Sequence, residues 1–242
     1  MNAQQVIVSG GTSGIGAGCA RMLAERGARV WILGSRPQTV ETALADIAGL
    51  AGGSACDVTD ADAVQEAVAA AAEALGGLDG AFVNAGVDGV GTGVLELKAD
   101  DLRRVLDVNV VGAFNVAREA AIAMTARGAI VFNASVNALR PERLFADYNA
   151  SKAAVLSISQ TMAIELAPRG IVVNAICPGY IPTAMTKPYL EEPSTAAELL
   201  KGIPAGRFGT VEELAELVCF LLSSNAGYMA GAVVSIDGGR VV

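Results

Sequence analysis

Short runs of continuously apolar residues alternate along this chain with longer, alanine-rich stretches of helical length, and that alternation is the strongest constraint on its fold. The runs fall at 5–8 (QVIV), 29–33 (RVWIL), 53–56 (GSAC), 79–83 (DGAFV), 128–134 (GAIVFNA), 171–177 (IVVNAIC) and 232–236 (AVVSI). A strand that is apolar at every position is buried on both faces, which requires a parallel sheet with helices on each side. Amphipathic segments at 60–76, 99–126 and 147–167 supply such helices. Right-handed crossovers then give a doubly wound, seven-stranded α/β sheet of the Rossmann type. No linker, repeat or low-complexity run divides residues 1–242, so the expectation is one domain.

Composition narrows the function classes. Hydrophobic residues make up 52% and charged ones 17%, far from a disordered chain. The net charge is −8, with no local basic stripe, which argues against nucleic acid as a partner. Cys19, Cys56, Cys177 and Cys219 form no CxxC pair and read as reduced thiols of a cytoplasmic protein. The absence of histidine excludes Ser-His-Asp schemes and His-ligated metals, and no metal is expected. The start, MNAQQVIVSGG, does not read as a signal peptide. Residues 217–236 carry no charge over nearly a bilayer-spanning length. Yet SSNAG in their middle is turn chemistry, so helix, turn and strand are expected there and no membrane span.

The first strand runs into SGGTSGIGAGCARMLAERG, where Gly10, Gly14 and Gly16 flank Ile15 at a helix start. Glycines at a first βα turn let backbone approach a pyrophosphate seated on the helix N-terminus. The competing explanation is close helix–strand packing alone. At the end of the second strand, where NAD enzymes place a carboxylate for the ribose 2′-hydroxyl, stand Gly34, Ser35 and Arg36. An arginine without a neighbouring carboxylate favours NADP(H) and leaves NAD(H) open. Alternatively, Arg36 is an ordinary solvated loop residue.

A third stretch, SVNALRPERLFADYNASK, places Ser135 thirteen residues before Tyr148 and Lys152 four after it. Tyr148 and Lys152 therefore share a helix face, one turn apart. A lysine ammonium there favours the phenolate and lowers a pKa that is ordinarily about 10. Ser135, at the C-terminal end of its strand, can donate to a substrate oxygen. Taken alone, the pair would be a half-exposed tyrosine and a lysine reaching for solvent.

Together with CDVTD (56–60), VNAG (83–86), DVNVVGAF (107–114), VNAICPGYIPT (173–183), GRFG (206–209) and SIDGG (235–239), these residues resemble the short-chain dehydrogenase/reductase family over essentially the whole chain. The resemblance implies a catalytic set of Asn109, Ser135, Tyr148 and Lys152, with Asn109 mid-helix holding a water that links Lys152 to solvent. It implies cofactor contacts from Ser9, Gly10, Gly14, Ile15 and Gly16, from Ser35 and Arg36, from Asp57 and Val58, and from Asn84, Ala85 and Gly86. Tyr148, Lys152, Pro178, Gly179, Ile181 and Thr183 complete that surface. It also implies a mobile lid over 184–205 and a homodimer or homotetramer built through 99–126 and 147–167.

Substrate contacts are expected from Ser135, Tyr148, Tyr180 and Met185, with Tyr189 and Leu190 adding to an apolar wall. Arg140 and Arg143 would bind a substrate anion if they face the cleft; otherwise they pair with Glu142 or Asp147. The expected activity is hydride exchange with a small-molecule carbonyl or alcohol. The alternatives are a 3-oxoacyl-[acyl-carrier-protein] reductase and a non-catalytic dinucleotide-binding regulator. Ala129 stands where such reductases commonly carry a carrier-docking basic residue, which ranks the first of these lower.

Overall fold

The computed structural model describes residues 4–242. Seven strands form one parallel sheet in the order β3-β2-β1-β4-β5-β6-β7. They are β1 Gln5–Ser9, β2 Arg29–Gly34, β3 Leu50–Ala55, β4 Gly80–Val83, β5 Gly128–Asn133, β6 Ile171–Pro178 and β7 Val233–Ile236. Each apolar run expected to be a strand is one, with shifted ends; the third begins at Leu50 rather than Gly53 and stops at Ala55.

Continuous apolarity has the expected cause, because successive residues of a strand serve opposite cores. Ile7, Leu33, Ile130, Phe132 and Val173 pack with α3 (Ala61–Leu75), α5 (Ala113–Ala123) and α6 (Ala146–Leu166). Val6, Val8, Ile32, Phe82 and Val131 pack on the other face with α1 (Gly14–Glu25), α2 (Pro37–Asp46) and α9 (Val211–Leu222). Helix α1 lies close on α9, where a Cβ at Gly18 would stand 2.1 Å from Val211. Asp60 caps α3 by accepting the N–H groups of Asp62 and Ala63, and Gly76 ends it in the left-handed region.

The segment 99–126 is not one helix. It divides into α4 (Ala99–Leu106), a π turn over Asp107–Gly112, and α5, which ends at Ala123. The widened turn carries Asn109. Residues 217–236 resolve into the end of α9, a short 3-10 turn and β7, and no described helix is long and apolar enough to cross a membrane. The segment 184–205 carries α7 (Lys187–Leu190) and α8 (Pro193–Lys201). Strand order reverses between β1 and β4, and in such sheets the crevice outside the strands' C-terminal ends is where ligands bind.

Candidate active site

The crevice begins at the glycine-rich turn. Gly10 (φ 63°) and Gly14 (φ 53°) adopt a backbone that other residues rarely take. A Cβ at Gly16 would lie 2.1 Å from the Gly10 carbonyl oxygen. At the start of α1, Ser13 makes no side-chain cap and the first turn holds no acidic residue. The leading N–H groups and the positive dipole end are therefore left for an anion. Ile15 lies in this first turn, and Thr183 faces the turn from across the crevice, 3.5 Å from a Cβ at Gly14.

Ser9 Oγ accepts the N–H groups of Asn84 and Ala85 at 3.0 and 3.1 Å, locking the end of β1 to that of β4. Asn84 Nδ2 donates back to the Ser9 and Gly10 carbonyls, and Asn133 Nδ2 donates to Asn84 Oδ1 at 2.8 Å. Asn133 Oδ1 is buried without a partner among the described residues. Gly86 lies beside Asn109 and Lys152, with its built Cβ 3.7 Å from Nζ. A cradle that side chains would fill and an orphaned buried acceptor both fit a dinucleotide.

Further along the rim, Asp57 Oδ1 accepts the N–H and hydroxyl of Thr59, which leaves Oδ2 without a partner among the described residues, while Val58 is buried against Gly112. Ser35 and Arg36 are exposed, and the Arg36 guanidinium bonds to no described residue. A side chain at Gly34 would meet the methyl groups of Thr12 at 2.5 Å and Val40 at 3.0 Å, so one there would require these side chains to shift. On the opposite wall Pro178 ends β6, Gly179 donates to the Ile236 carbonyl and Ile181 is buried. Thr186 Oγ1 ties the Ile181 carbonyl to the Thr183 N–H.

Ser135, Tyr148, Lys152 and Asn109 come together at the mouth. Ser135 follows β5 and opens a 3-10 turn, its Oγ accepting the Asn137 N–H at 3.1 Å. Tyr148 and Lys152 lie in the first two turns of α6, with Nζ 5.5 Å from the tyrosine ring centroid. Lys152 Nζ donates to the Asn133 carbonyl at 2.8 Å. The Asn109 side chain is bonded to the protein. Its Oδ1 accepts the Val87 N–H, and its Nδ2 donates to the Val87 carbonyl and Ser151 Oγ, so both amide hydrogens are spent on protein.

The expected lowering of the Tyr148 pKa is not found in the protein alone. Burial pushes its phenol up, the Asp88 and Glu142 charges push the same way, and a bond with Ser135 opposes them. Lys152 is itself driven down to about 8, chiefly by burial. Burial penalises the charged form of each, which works against the expected lowering.

The substrate side differs from expectation. Arg140 pairs with neither Glu142 nor Asp147; its guanidinium donates to the Arg240 carbonyl at 2.9 Å, and Arg143 is exposed without a partner among the described residues. Glu142 instead accepts the Tyr180 hydroxyl and an Arg240 guanidinium N–H at 3.2 Å, with Arg240 stacked 4.7 Å above the Tyr180 ring. Asp147 is fully buried and accepts the N–H groups of Val90 and Tyr148. Tyr189 reaches across to donate to Asp88 Oδ2 at 2.7 Å and packs edge-on against Phe145. Met185 is exposed and Leu190 half-buried. Asp88, Asn133 and Arg240 escaped the sequence reading. Of these only Asp88 carried a signal, as a lone charge in the glycine-rich stretch AGVDGVGTG.

A family model described as enoyl-(acyl carrier protein) reductase matches residues 10–240. An inactive 2-(S)-hydroxypropyl-CoM dehydrogenase 2 of Xanthobacter autotrophicus is 39% identical, covering 91% of this chain and 98% of that protein. A 3-oxoacyl-[acyl-carrier-protein] reductase of Thermotoga maritima is 34% identical, covering 98% and 97%. The solved structure of a short-chain type dehydrogenase/reductase from Mycobacterium ulcerans superposes with a TM-score of 0.95 at 31% identity, covering 100% of this chain and 91% of that one. The chain belongs to the short-chain dehydrogenase/reductase family. It is accordingly an oxidoreductase of alcohol and carbonyl groups, in a family that uses nicotinamide cofactors.

Proposed function

We propose that this enzyme exchanges a hydride with the carbonyl or alcohol carbon of a small molecule, using Tyr148 as general acid and base. The observation that carries this is the convergence of Ser135, Tyr148 and Lys152 beside the glycine cradle, braced by the Asn109–Ser151 bond. The nicotinamide, when bound, supplies or accepts the hydride. In reduction Tyr148 gives its hydroxyl proton to the substrate oxygen, and in oxidation it takes that proton back. Ser135 donates to the same oxygen as charge develops on it. Lys152 holds a positive charge below the phenol ring and its carbonyl partner fixes where that charge lies.

Ser9, Gly10, Gly14, Ile15, Gly16, Asp57, Val58, Asn84, Ala85, Gly86 and the Pro178–Thr183 wall would hold the dinucleotide. NADP(H) is favoured because no carboxylate stands at the end of β2, where Gly34 is, and Arg36 is unpaired among the described residues. Arg140 is better explained as an anchor of the C-terminal tail than as a substrate ligand. The segment 184–205 acts as a lid, and the enzyme assembles as a homodimer or homotetramer in the cytoplasm.

A second reading, reduction of 3-oxoacyl carrier-protein thioesters, draws on the Thermotoga relative. Non-catalytic binding draws on the Xanthobacter relative named inactive, but Tyr148 and Lys152 are both retained here. One assay separates these readings: reduced-nicotinamide absorbance with NAD(H) and NADP(H) against ketones, hydroxy acids and acetoacetyl thioesters. Tyr148→Phe is expected to bind cofactor normally while turnover falls by about 10²–10⁴. Near-normal turnover in that variant overturns the assignment.

A further inference from the structure

We propose that the substrate side of the cleft selects uncharged, hydroxyl-bearing molecules and turns away carboxylates, with Asp88 as the specificity-determining residue. This inference rests on Tyr148 being the proton-handling group. Two carboxylates approach that tyrosine from different walls: Asp88 from the loop after β4, whose next residue Gly89 would place a Cβ 3.1 Å from Tyr148 Cβ, and Glu142 from the loop between β5 and α6, whose carbonyl accepts the side chain of Asn149, the neighbour of Tyr148. Both lie within electrostatic reach of the Tyr148 hydroxyl, since each disfavours its ionisation.

The cations of the inner wall are held by protein groups, and only Arg240 is paired with a carboxylate. Lys152 is engaged by the Asn133 carbonyl, Arg240 by Glu142 and Tyr180, and Arg140 by the Arg240 carbonyl. Asp88 itself is bonded only to neutral groups, the Gly89 N–H and the Tyr189 hydroxyl, so an anionic substrate placing its carbonyl at Tyr148 would bring a like charge against a half-buried carboxylate that no described cation neutralises. A hydroxyl meets the opposite situation. Asp88 Oδ1 accepts the Gly89 N–H at 2.8 Å and Oδ2 the Tyr189 hydroxyl. A carboxylate offers about four lone-pair sites, so roughly two remain to accept a substrate hydroxyl. Because Tyr189 stands on α7, the lid and the substrate hydroxyl would share one acceptor.

The test compares acetoin, ethyl acetoacetate and acetoacetate, three small ketones of which the first bears a hydroxyl and the last a charge. The wild-type enzyme is expected to favour both neutral ketones over acetoacetate by roughly tenfold or more in kcat/KM. Asp88→Asn keeps the size and an acceptor for Tyr189 but removes the charge. It should raise the acetoacetate to ethyl acetoacetate ratio of kcat/KM about fivefold or more and lower the acetoin to ethyl acetoacetate ratio. Asp88→Glu should keep the wild-type ratio. Calorimetric titration of butane-2,3-diol and 3-hydroxybutyrate onto the protein loaded with reduced cofactor, which cannot accept a hydride from an alcohol, reads the same selectivity without turnover. A wild-type preference for acetoacetate, an unchanged ratio in Asp88→Asn, or equal or absent binding of both titrants overturns the inference. Selective titration with no turnover of any ketone would instead overturn the role of Tyr148 and leave the selectivity standing.

Discussion

The two walls of this cleft are built on different principles. The cofactor wall is backbone: glycines in left-handed geometry, strand ends locked by Ser9, Asn84 and Asn133, and the bare start of α1. The substrate wall is side chains: Asp88 with Tyr189, Glu142 with Tyr180 and Arg240, and Arg140 on the tail. A backbone wall tolerates almost no change and fixes one ligand shape. A side-chain wall can be rewritten residue by residue, which suits a fold whose substrate varies while its cofactor chemistry stays.

The sharpest way to break this contrast is to add one methyl group to the cofactor wall. In Gly16→Ala the new Cβ would stand 2.1 Å from the Gly10 carbonyl oxygen and 2.5 Å from the Asn84 amide. The backbone must move, at a cost of about 1–3 kcal/mol in stability. Cofactor affinity should fall by about 100-fold or more, measured by fluorescence titration of the reduced cofactor. Unchanged affinity would mean that the cradle is not the pyrophosphate seat.

Lys152→Met probes the place where the walls meet. Burial holds the Lys152 ammonium down to about 8 from 10.5, so the folded state disfavours its charged form. That cost is present below pH 8 and fades as pH rises through the interval up to 10.5, where the unfolded chain binds more protons. The variant should lose turnover by about 10² or more. Yet denaturant melts at pH 7 should find it more stable, on the order of 3 kcal/mol at most, with a flatter pH dependence between 8 and 10.5. A destabilised variant would show that its bond to the Asn133 carbonyl outweighs desolvation.

The substrate wall should respond more gently. Glu142 and Arg240 are partly shielded, with side chains 26% and 17% exposed. A double-mutant cycle of Glu142→Gln and Arg240→Met should give a coupling of about 1–2 kcal/mol in stability. kcat/KM should drop about tenfold while cofactor affinity is unchanged. A parallel loss of cofactor binding would erase the distinction between the walls.

The same distinction explains what was legible in the sequence. The glycine turn, the strands and the Ser135–Tyr148–Lys152 spacing are local patterns, each written within a few residues of chain or fixed by helical geometry. The Glu142–Arg240 pair spans 98 positions and Asp88–Tyr189 spans 101, and no periodicity encodes such partners. Arg140 was singled out for its charge, but what it binds is a backbone carbonyl 100 positions on, which no residue type announces. The segment 99–126 read as one helix because a π turn keeps helical periodicity nearly intact while inserting a residue's worth of slack.

The smallest expected effect is a shift along the pH axis. Tyr148 ionises harder than an ordinary phenol, through burial first and Asp88 next, with Glu142 and Tyr189 adding smaller contributions and Ser135 opposing. Removing the Asp88 charge in Asp88→Asn should ease that ionisation. Alcohol oxidation needs the phenolate, so its rise with pH should begin at lower pH in the variant, while carbonyl reduction, which needs the phenol, should fall away earlier on the alkaline side. At any one pH the change in rate should stay below about tenfold, because burial, the leading cause, is untouched. Rate profiles of a neutral alcohol from pH 6 to 11 would measure it, and a shift to higher pH would mean that Asp88 does not act on Tyr148 through its charge.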